Sequence, residues 1–444
     1  MARLFGTDGI RGLANGTALT PELTMQLAGV AGAQARADHT GPGRPMVVVG
    51  RDSRPSGEML EAAAVAGFTS VGCDVSRLGV VPTPLVAHAT DRWHAVLGLA
   101  ITASHNPMPD NGLKLFASGG RKLTDAQEDA LERGLRQPCP RVTGHDIGRS
   151  HADGRTARVE AYLGDLLATV GSLEGLHVVV DGAQGAACEL APEAYRRAGA
   201  TVTAMHCDAD GYAINDGCGA THPESLAKAV VEVGADLGIA HDGDADRCIV
   251  VDATGRVLNG DQVLGLLALA RKQASLPGSD VLVATVMSNL GLVQAMTVAG
   301  VEVVRTAVGD RYVLEAMLAG GHPLGGEQSG HVVMLDHATT GDGLLTALQV
   351  MDQVVRSGRS VAELADIVRL LPQVLVNVTA PRTRATDEDV LVAVVREQAQ
   401  LADTGRVLLR PSGTEPLVRV MVEAPTQGQA TAVAARLASV VAPD

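Results

Sequence analysis

The stretch DLGIAHDGDADRCIVVD, residues 236–252, reads as a strand, an acidic loop and a second strand. DLGIA and CIVVD are short apolar runs of the length expected for buried strands. Between them Asp242, Asp244 and Asp246 stand at i, i+2 and i+4, with Gly243 allowing a tight bend. Carboxylates so close repel one another unless a cation sits among them. In a loop, alternate residues can turn to one side and converge on a hard ion. The spacing is similar to the first part of a calcium loop, but a strand follows and no Glu stands at the twelfth position. So few protein oxygens leave room for water and a phosphate oxygen, which favours Mg²⁺.

Working outward, apolar runs alternate with helix-like segments. MVVVG (46–50), VLGLA (96–100), LHVVVD (176–181), TVTAM (201–205), SDVLVATV (279–286) and VEVVRT (301–306) read as strands. Segments such as SGEMLEAAAVAGFTSVG, TDAQEDALERGL and AACELAPEAYRRAG read as helices, the second capped by Thr124 with Gln127 three residues on. Such alternation predicts α/β layers with mixed, mostly parallel sheets. QVLVNVTA (373–380), RVLLR (406–410) and LVRVMVEA (417–424) read as strands of a smaller α+β domain, the last two as an antiparallel hairpin. The expected domains are 1–155, 156–256, 257–370 and 371–444, carrying one chemistry-bearing loop each and facing a central cleft.

The other three loops are distinct in character. ITASHNP (101–107) follows a strand and ends at Pro107, presenting Thr102, Ser104, His105 and Asn106. A serine hydroxyl is a weak nucleophile until a base, metal or donor cluster activates it. An Asx-type turn closed by proline is the plain alternative. GGEQSGH (325–331) offers Glu327, Gln328, Ser329 and His331 on a glycine-rich loop, a palette suited to sugar hydroxyls, with His331 a candidate acid or base. RPSGTEP (410–416) joins Arg410, Ser412, Gly413 and Thr414 in one turn, an anion nest to which Arg419 on the next strand adds charge.

The bulk properties narrow the partners. A formal charge of −14 argues against nucleic acid and against an anionic membrane surface. Six cysteines lie scattered with no CxxC pair, which fits free thiols in a reducing cytoplasm. No apolar run approaches the ~20 residues of a membrane span, and MARLFGTDGIRG lacks an apolar signal core. Aromatics are 2% of the chain, so the cores must be built from Ala, Val, Leu and Ile.

Taken in order from FGTDGIRG (5–12) to RPSGTEPLVRVMVEA (410–424), the motifs resemble those of the α-D-phosphohexomutase superfamily over nearly the whole chain. Within it, FGTDGIRG, GGEQSGH and DHATTGDG (336–343) resemble the bacterial phosphoglucosamine mutase family. That family interconverts glucosamine 6-phosphate and glucosamine 1-phosphate on the way to UDP-N-acetylglucosamine and peptidoglycan.

The resemblance implies a phosphoserine at Ser104 and one Mg²⁺ held by Asp242, Asp244, Asp246 and a phosphoserine oxygen. It implies a glucosamine 1,6-bisphosphate intermediate. Glu327, Ser329 and His105 would meet the sugar. Arg410, Ser412, Gly413, Thr414 and Arg419 would grip the phosphate that is not reacting. Arg11, Lys114, His331 and Arg247 would move protons or orient the reacting group. A phosphomannomutase or phosphoglucomutase of the same superfamily is the neighbouring reading, and a metal-dependent phosphatase a more distant one. The partner is a small sugar phosphate, and a homodimer is left open. Ala245 departs from the Gly expected in many relatives, which bears on the local backbone alone.

Overall fold

The computed structural model describes residues 3–6, 8–411 and 416–442. They form two compact units, one of Met1–Met287 with Val301–Ile367, the other of Ser288–Gly300 with Val368–Asp444.

The first unit holds three sheets. The first comprises β1 (Ile10–Leu13), β2 (Met46–Arg51), β3 (Asp74–Val80), β4 (Leu97–Ile101), β5 (Asp110–Ala117), β6 (Arg121–Lys122) and β7 (Ser150–His151), in the order β1-β5-β4-β2-β3-β7 with β6 on β5. The second comprises β8 (His177–Asp181), β9 (Thr201–Met205), β10 (Leu237–Ala240), β11 (Ile249–Asp252) and β12 (Val257–Leu258), ordered β12-β11-β10-β8-β9. The third comprises β13 (Val281–Thr285), β14 (Glu302–Thr306), β15 (Leu324–Gly326) and β16 (Val332–Met334), ordered β14-β13-β15-β16.

One rule recurs in all three. The central strands pair in parallel, β4–β2–β3, β10–β8–β9 and β15–β13–β14. The next strand in sequence then turns back antiparallel beside the last: β5 on β4, β11 on β10, β16 on β15. Each turn-back loop is one of the chemistry-bearing motifs, 102–109, 241–248 and 327–331. Such a loop lies at the carboxyl ends of the parallel strands, where open α/β sheets present their ligand sites.

Packing follows the aromatic-poor composition. Helices Pro21–Asp38 and Ser56–Ser70 approach so closely that a Cβ at Gly67 would stand 2.3 Å from the carbonyl of Met25. Small residues at the contact let backbone atoms replace aromatic bulk in filling the core. The first sheet buries Val47, Val49, Val75, Leu99 and Ile101 beneath these helices. The expected cap is present in full: Thr124 and Gln127 form a reciprocal capping box at helix Asp125–Gly134.

In the second unit β17 (Gln373–Thr379), β18 (Arg406–Pro411) and β19 (Leu417–Glu423) form an antiparallel sheet in the order β17-β19-β18, with the hairpin as expected. Helices Glu388–Leu401 and Gln427–Val441 complete its core around Val390, Val420, Val433 and Leu437. Helix Leu290–Val298 belongs here as well. Leu290 donates its N–H to Glu423 at 3.0 Å, and Asn289 exchanges two hydrogen bonds with Leu371. Among the described residues no helix is long and apolar enough to cross a membrane.

Candidate active site

The strand β4 ends in a loop held by a dense set of hydrogen bonds. Thr102 Oγ1 donates to Asp52 at 2.7 Å and accepts the N–H of Ser104 at 2.9 Å. Ser104 itself sits at φ 53°, the left-handed region that costs an L-residue ~1–2 kcal/mol. Fixed donors hold it there. Arg54 Nη2 donates to the carbonyls of Ser104 (3.0 Å) and Asn106 (2.7 Å), and Asn215 Nδ2 donates to the same two at 2.9 and 3.1 Å. Arg54 is 0% exposed and is neutralised by Asp52 at 2.9 Å.

The outcome is a serine hydroxyl aimed at the acidic loop. Ser104 Oγ donates to Asp242 Oδ2 at 2.5 Å and lies 3.4 Å from His105 Nδ1. Gly243 makes the approach possible: a Cβ there would stand 2.7 Å from the carbonyl of Ser104. Burial, then the charges of Asp246 and Asp244, push the Asp242 carboxyl up to about 8. Burial and the neighbouring Arg247 and Arg11 push His105 down to about 4.

The three aspartates converge as expected, with carboxylate oxygens within 4.8 Å of one another and all three residues buried. Lys114 Nζ meets Asp244 Oδ2 at 2.7 Å, Asp246 Oδ2 at 3.0 Å and Asp8 Oδ2 at 2.9 Å. Thr83 donates its hydroxyl to Asp244 Oδ2 at 2.7 Å. Asp244 Oδ1 and Asp246 Oδ1 remain buried with no hydrogen-bond partner. Two orphaned carboxylate oxygens beside Asp242 are the donor set a hard divalent cation takes. Burial opposes the charge on Asp246, yet Lys114, His331 and Arg247 together hold it at about 2. Ala245 adopts φ 61°, the conformation that made its side chain unexpected, and its carbonyl is tied to the Gly343 N–H at 3.0 Å.

A cavity of about 450 Å³ lies beside these groups, walled by Arg11, His105, Asp246, Arg247, Glu327 and His331 among others. The metal and sugar loops are stitched together: Arg247 bridges His331, and Cys248 donates to the Gly330 carbonyl at 3.0 Å. Neither ring nitrogen of His331 has a hydrogen-bond partner, and its Nε2 lies 3.6 Å from Asp310. Glu327 accepts the Gly309 N–H at 3.1 Å, and Ser329 Oγ is buried without a partner. Lys114 stands behind the triad, not in the cavity wall, so its charge acts on the aspartates first. Arg11 pairs with Asp8, which also binds Lys114 and Lys122.

In the second unit Arg410 and Arg419 are cross-strand partners on β18 and β19. Neither has a carboxylate within ion-pair distance among the described residues, and Arg419 Nε is buried without a partner. Directly opposed like charges are unfavourable without an anion between them. Ser412, Gly413 and Thr414 lie outside the described residues.

Several supporting residues escaped the sequence reading. Asp52 and Arg54 sit in RDSRPSG (51–57), just past a buried strand, a signal of the same kind as the four motifs. Asp8 stands within FGTDGIRG. Thr83 opens helix Thr83–Arg92 and Asn215 sits in an ordinary-looking turn, and both are found through their partners alone.

Comparison with known proteins decides the family. Models of phosphoglucomutase/phosphomannomutase domains match throughout: α/β/α domain I at residues 2–138, domain II at 160–255, domain III at 259–370 and the C-terminal domain at 375–440. A phosphoglucosamine mutase of Frankia casuarinae is 58% identical over 99% of this chain and 98% of its own. One of Thermobifida fusca is 56% identical, again over 99% of this chain and 98% of its own. The chain belongs to the phosphoglucosamine mutase family. Membership in the phosphoglucosamine mutases makes it an isomerase of the mutase type. The fold is shared more widely. A phosphoglucomutase/phosphomannomutase family protein of Burkholderia thailandensis superposes with a TM-score of 0.82 at 24% identity, covering 99% of this chain and 97% of that one. An Aspergillus fumigatus N-acetylphosphoglucosamine mutase, solved with GlcNAc-6P and magnesium, covers 99% and 95% at a TM-score of 0.66 and 17% identity.

Proposed function

We propose that this protein interconverts glucosamine 6-phosphate and glucosamine 1-phosphate through a phosphorylated Ser104 and a glucosamine 1,6-bisphosphate intermediate. The reaction would take place in the cytoplasm and feed amino-sugar and peptidoglycan precursors. The observation that carries the reading is the hydroxyl of Ser104 at 2.5 Å from Asp242, beside two carboxylate oxygens with no partner.

Asp242, Asp244 and Asp246 would hold the Mg²⁺. That ion, when bound, supplies a Lewis acid for the transferring oxygens. The remaining work belongs to side chains. The bond between phosphorus and Ser104 Oγ breaks as the free hydroxyl of the sugar phosphate takes the phosphoryl group, and the released Ser104 Oγ takes a proton from solvent. His331, with both ring nitrogens uncommitted beside the cavity, accepts the proton of that hydroxyl. Arg247 offsets negative charge as it spreads over the phosphoryl oxygens. Glu327, Ser329 and His105, the last kept neutral by burial and nearby guanidinium groups, orient the sugar. The bisphosphate turns end for end and the steps reverse: Ser104 Oγ takes the other phosphoryl group and loses its proton to solvent, while His331 returns its proton to the sugar oxygen released. Arg410, Ser412, Gly413, Thr414 and Arg419 grip whichever phosphate is idle, so they read charge and tetrahedral shape, not the sugar.

Steady-state turnover on glucosamine 1-phosphate and glucose 1-phosphate, each primed with its hexose bisphosphate, tests the reading. A preference for the glucosamine compound is expected. A strong preference for the glucose compound would move the chain to the phosphoglucomutase activity. Steady release of inorganic phosphate would make it a phosphatase.

A further inference from the structure

A second set of metal-ligating side chains gathers on the same edge of the second sheet. Asp181 ends β8, His206 follows β9 directly, and Cys218 precedes the turn at Gly219–Thr221. One ligand atom from each lies within 4.8 Å of the other two. Asp181 and Cys218 are buried and His206 is half-buried, so the group is closed on one side and reachable on the other. His206 Nδ1 is hydrogen-bonded to Asp181 Oδ2 at 3.0 Å, so the two ligand atoms already face each other and an ion would take the place of the shared proton.

Backbone donors orient the carboxylate. Ala183 N–H meets Asp181 Oδ1 at 2.8 Å and Gly219 N–H meets Oδ2 at 2.9 Å. Oδ1, with one donor, keeps a lone pair, and outer donors of this kind fix first ligands in metal sites. Cys218 Sγ makes a contact of 3.9 Å to the carbonyl of Ala213, too long to commit the sulfur.

We propose that Asp181, His206 and Cys218 form a binding site for a borderline divalent cation of the zinc class, separate from the aspartate triad. Sulfur and imidazole nitrogen select that class over Mg²⁺. Three protein ligands leave a fourth position for water. On binding, the Cys218 thiol releases its proton to solvent as the sulfur–metal bond forms. The imidazole gives up the proton that Nδ1 shares with Asp181 and carries its one proton on Nε2, which frees the Nδ1 lone pair. The ion would fasten both ends of the loop 206–218. That loop carries Asn215, whose side chain holds the carbonyls of Ser104 and Asn106.

Titration of the full-length protein with Co²⁺, in the presence of excess Mg²⁺, tests the proposal. A thiolate-to-cobalt charge-transfer absorption in the near ultraviolet requires a sulfur ligand, which the all-oxygen triad lacks. The band should saturate at one ion per chain and vanish in Cys218→Ser. It should survive in Cys188→Ser and Cys207→Ser, whose thiols lie near His206, and weaken at least tenfold in affinity in His206→Gln. Absence of the band, or its persistence in Cys218→Ser, overturns the site. If Cys218→Ser fails to fold, unchanged cobalt affinity in His206→Gln overturns it equally.

Discussion

Arg54 and Ser104, fifty positions apart, meet through a single hydrogen bond from Nη2 to the serine carbonyl at 3.0 Å. The guanidinium also caps Asn106 and Asp110 and is itself neutralised by Asp52 at 2.9 Å. A fully buried cation therefore sets the backbone of the candidate nucleophile. Arg54→Met should cost about 3–5 kcal/mol of stability, since it leaves Asp52 buried and uncompensated. Urea unfolding checks this, and a loss below about 1 kcal/mol would show that the clamp does not hold the loop.

The triad predicts a cation dependence. Asp246→Asn removes one charge and leaves Lys114 with fewer partners, so Mg²⁺ affinity should fall at least about tenfold. Calorimetric titration measures it. Unchanged affinity would mean that the orphaned oxygens of Asp244 and Asp246 are not ligands.

How much of this was legible in the sequence depends on whether a residue announces its chemistry locally. The triad did, because alternating aspartates between two apolar strands have few other uses. Ser104 did in part, because hydroxyls and amides crowd one turn. Asn215 and Thr83 did not: one is an ordinary turn residue and the other an ordinary first residue of a helix until the fold brings a distant carbonyl or carboxylate within reach. The antiparallel turn-back strands were hidden for a similar reason. A short apolar run such as VVM (332–334) carries no mark of its direction, which is set by the length of the loop before it. The left-handed turn at Ala245 was foreseeable only through the resemblance that made glycine the expected residue.

Asp342 predicts a pH dependence. It caps helix Gly343–Ser357 through the Leu345 N–H at 3.0 Å and accepts the Tyr162 hydroxyl at 2.9 Å. Burial nevertheless pushes its carboxyl up to about 6. The folded value lies above the unfolded one near ~3.9, so its contribution is full below pH ~4 and is lost as the pH rises through about 6. The loss is on the order of 3 kcal/mol. Asp342→Asn keeps the cap and removes the buried charge, so it should be more stable than the parent at pH 8 and lose that advantage toward pH 4. An advantage equal at both values in urea unfolding would contradict this origin.

Arg410 faces Arg419, and among the described residues no carboxylate offsets either. Arg410→Ala should leave stability within about 1 kcal/mol, because it relieves repulsion. It should raise KM about 10- to 100-fold, the worth of one charge-assisted hydrogen bond to phosphate. Kinetics unchanged in both parameters would remove the pair from substrate binding.

Storage of a phosphoryl group on Ser104 is tested most directly by intact-protein mass after incubation with glucosamine 1,6-bisphosphate. A population heavier by one phosphoryl group, mapped to the peptide containing Ser104 and missing from Ser104→Ala together with turnover, is the predicted result. A Ser104→Ala protein that keeps parental turnover, or a parent that never gains the mass, would contradict the account.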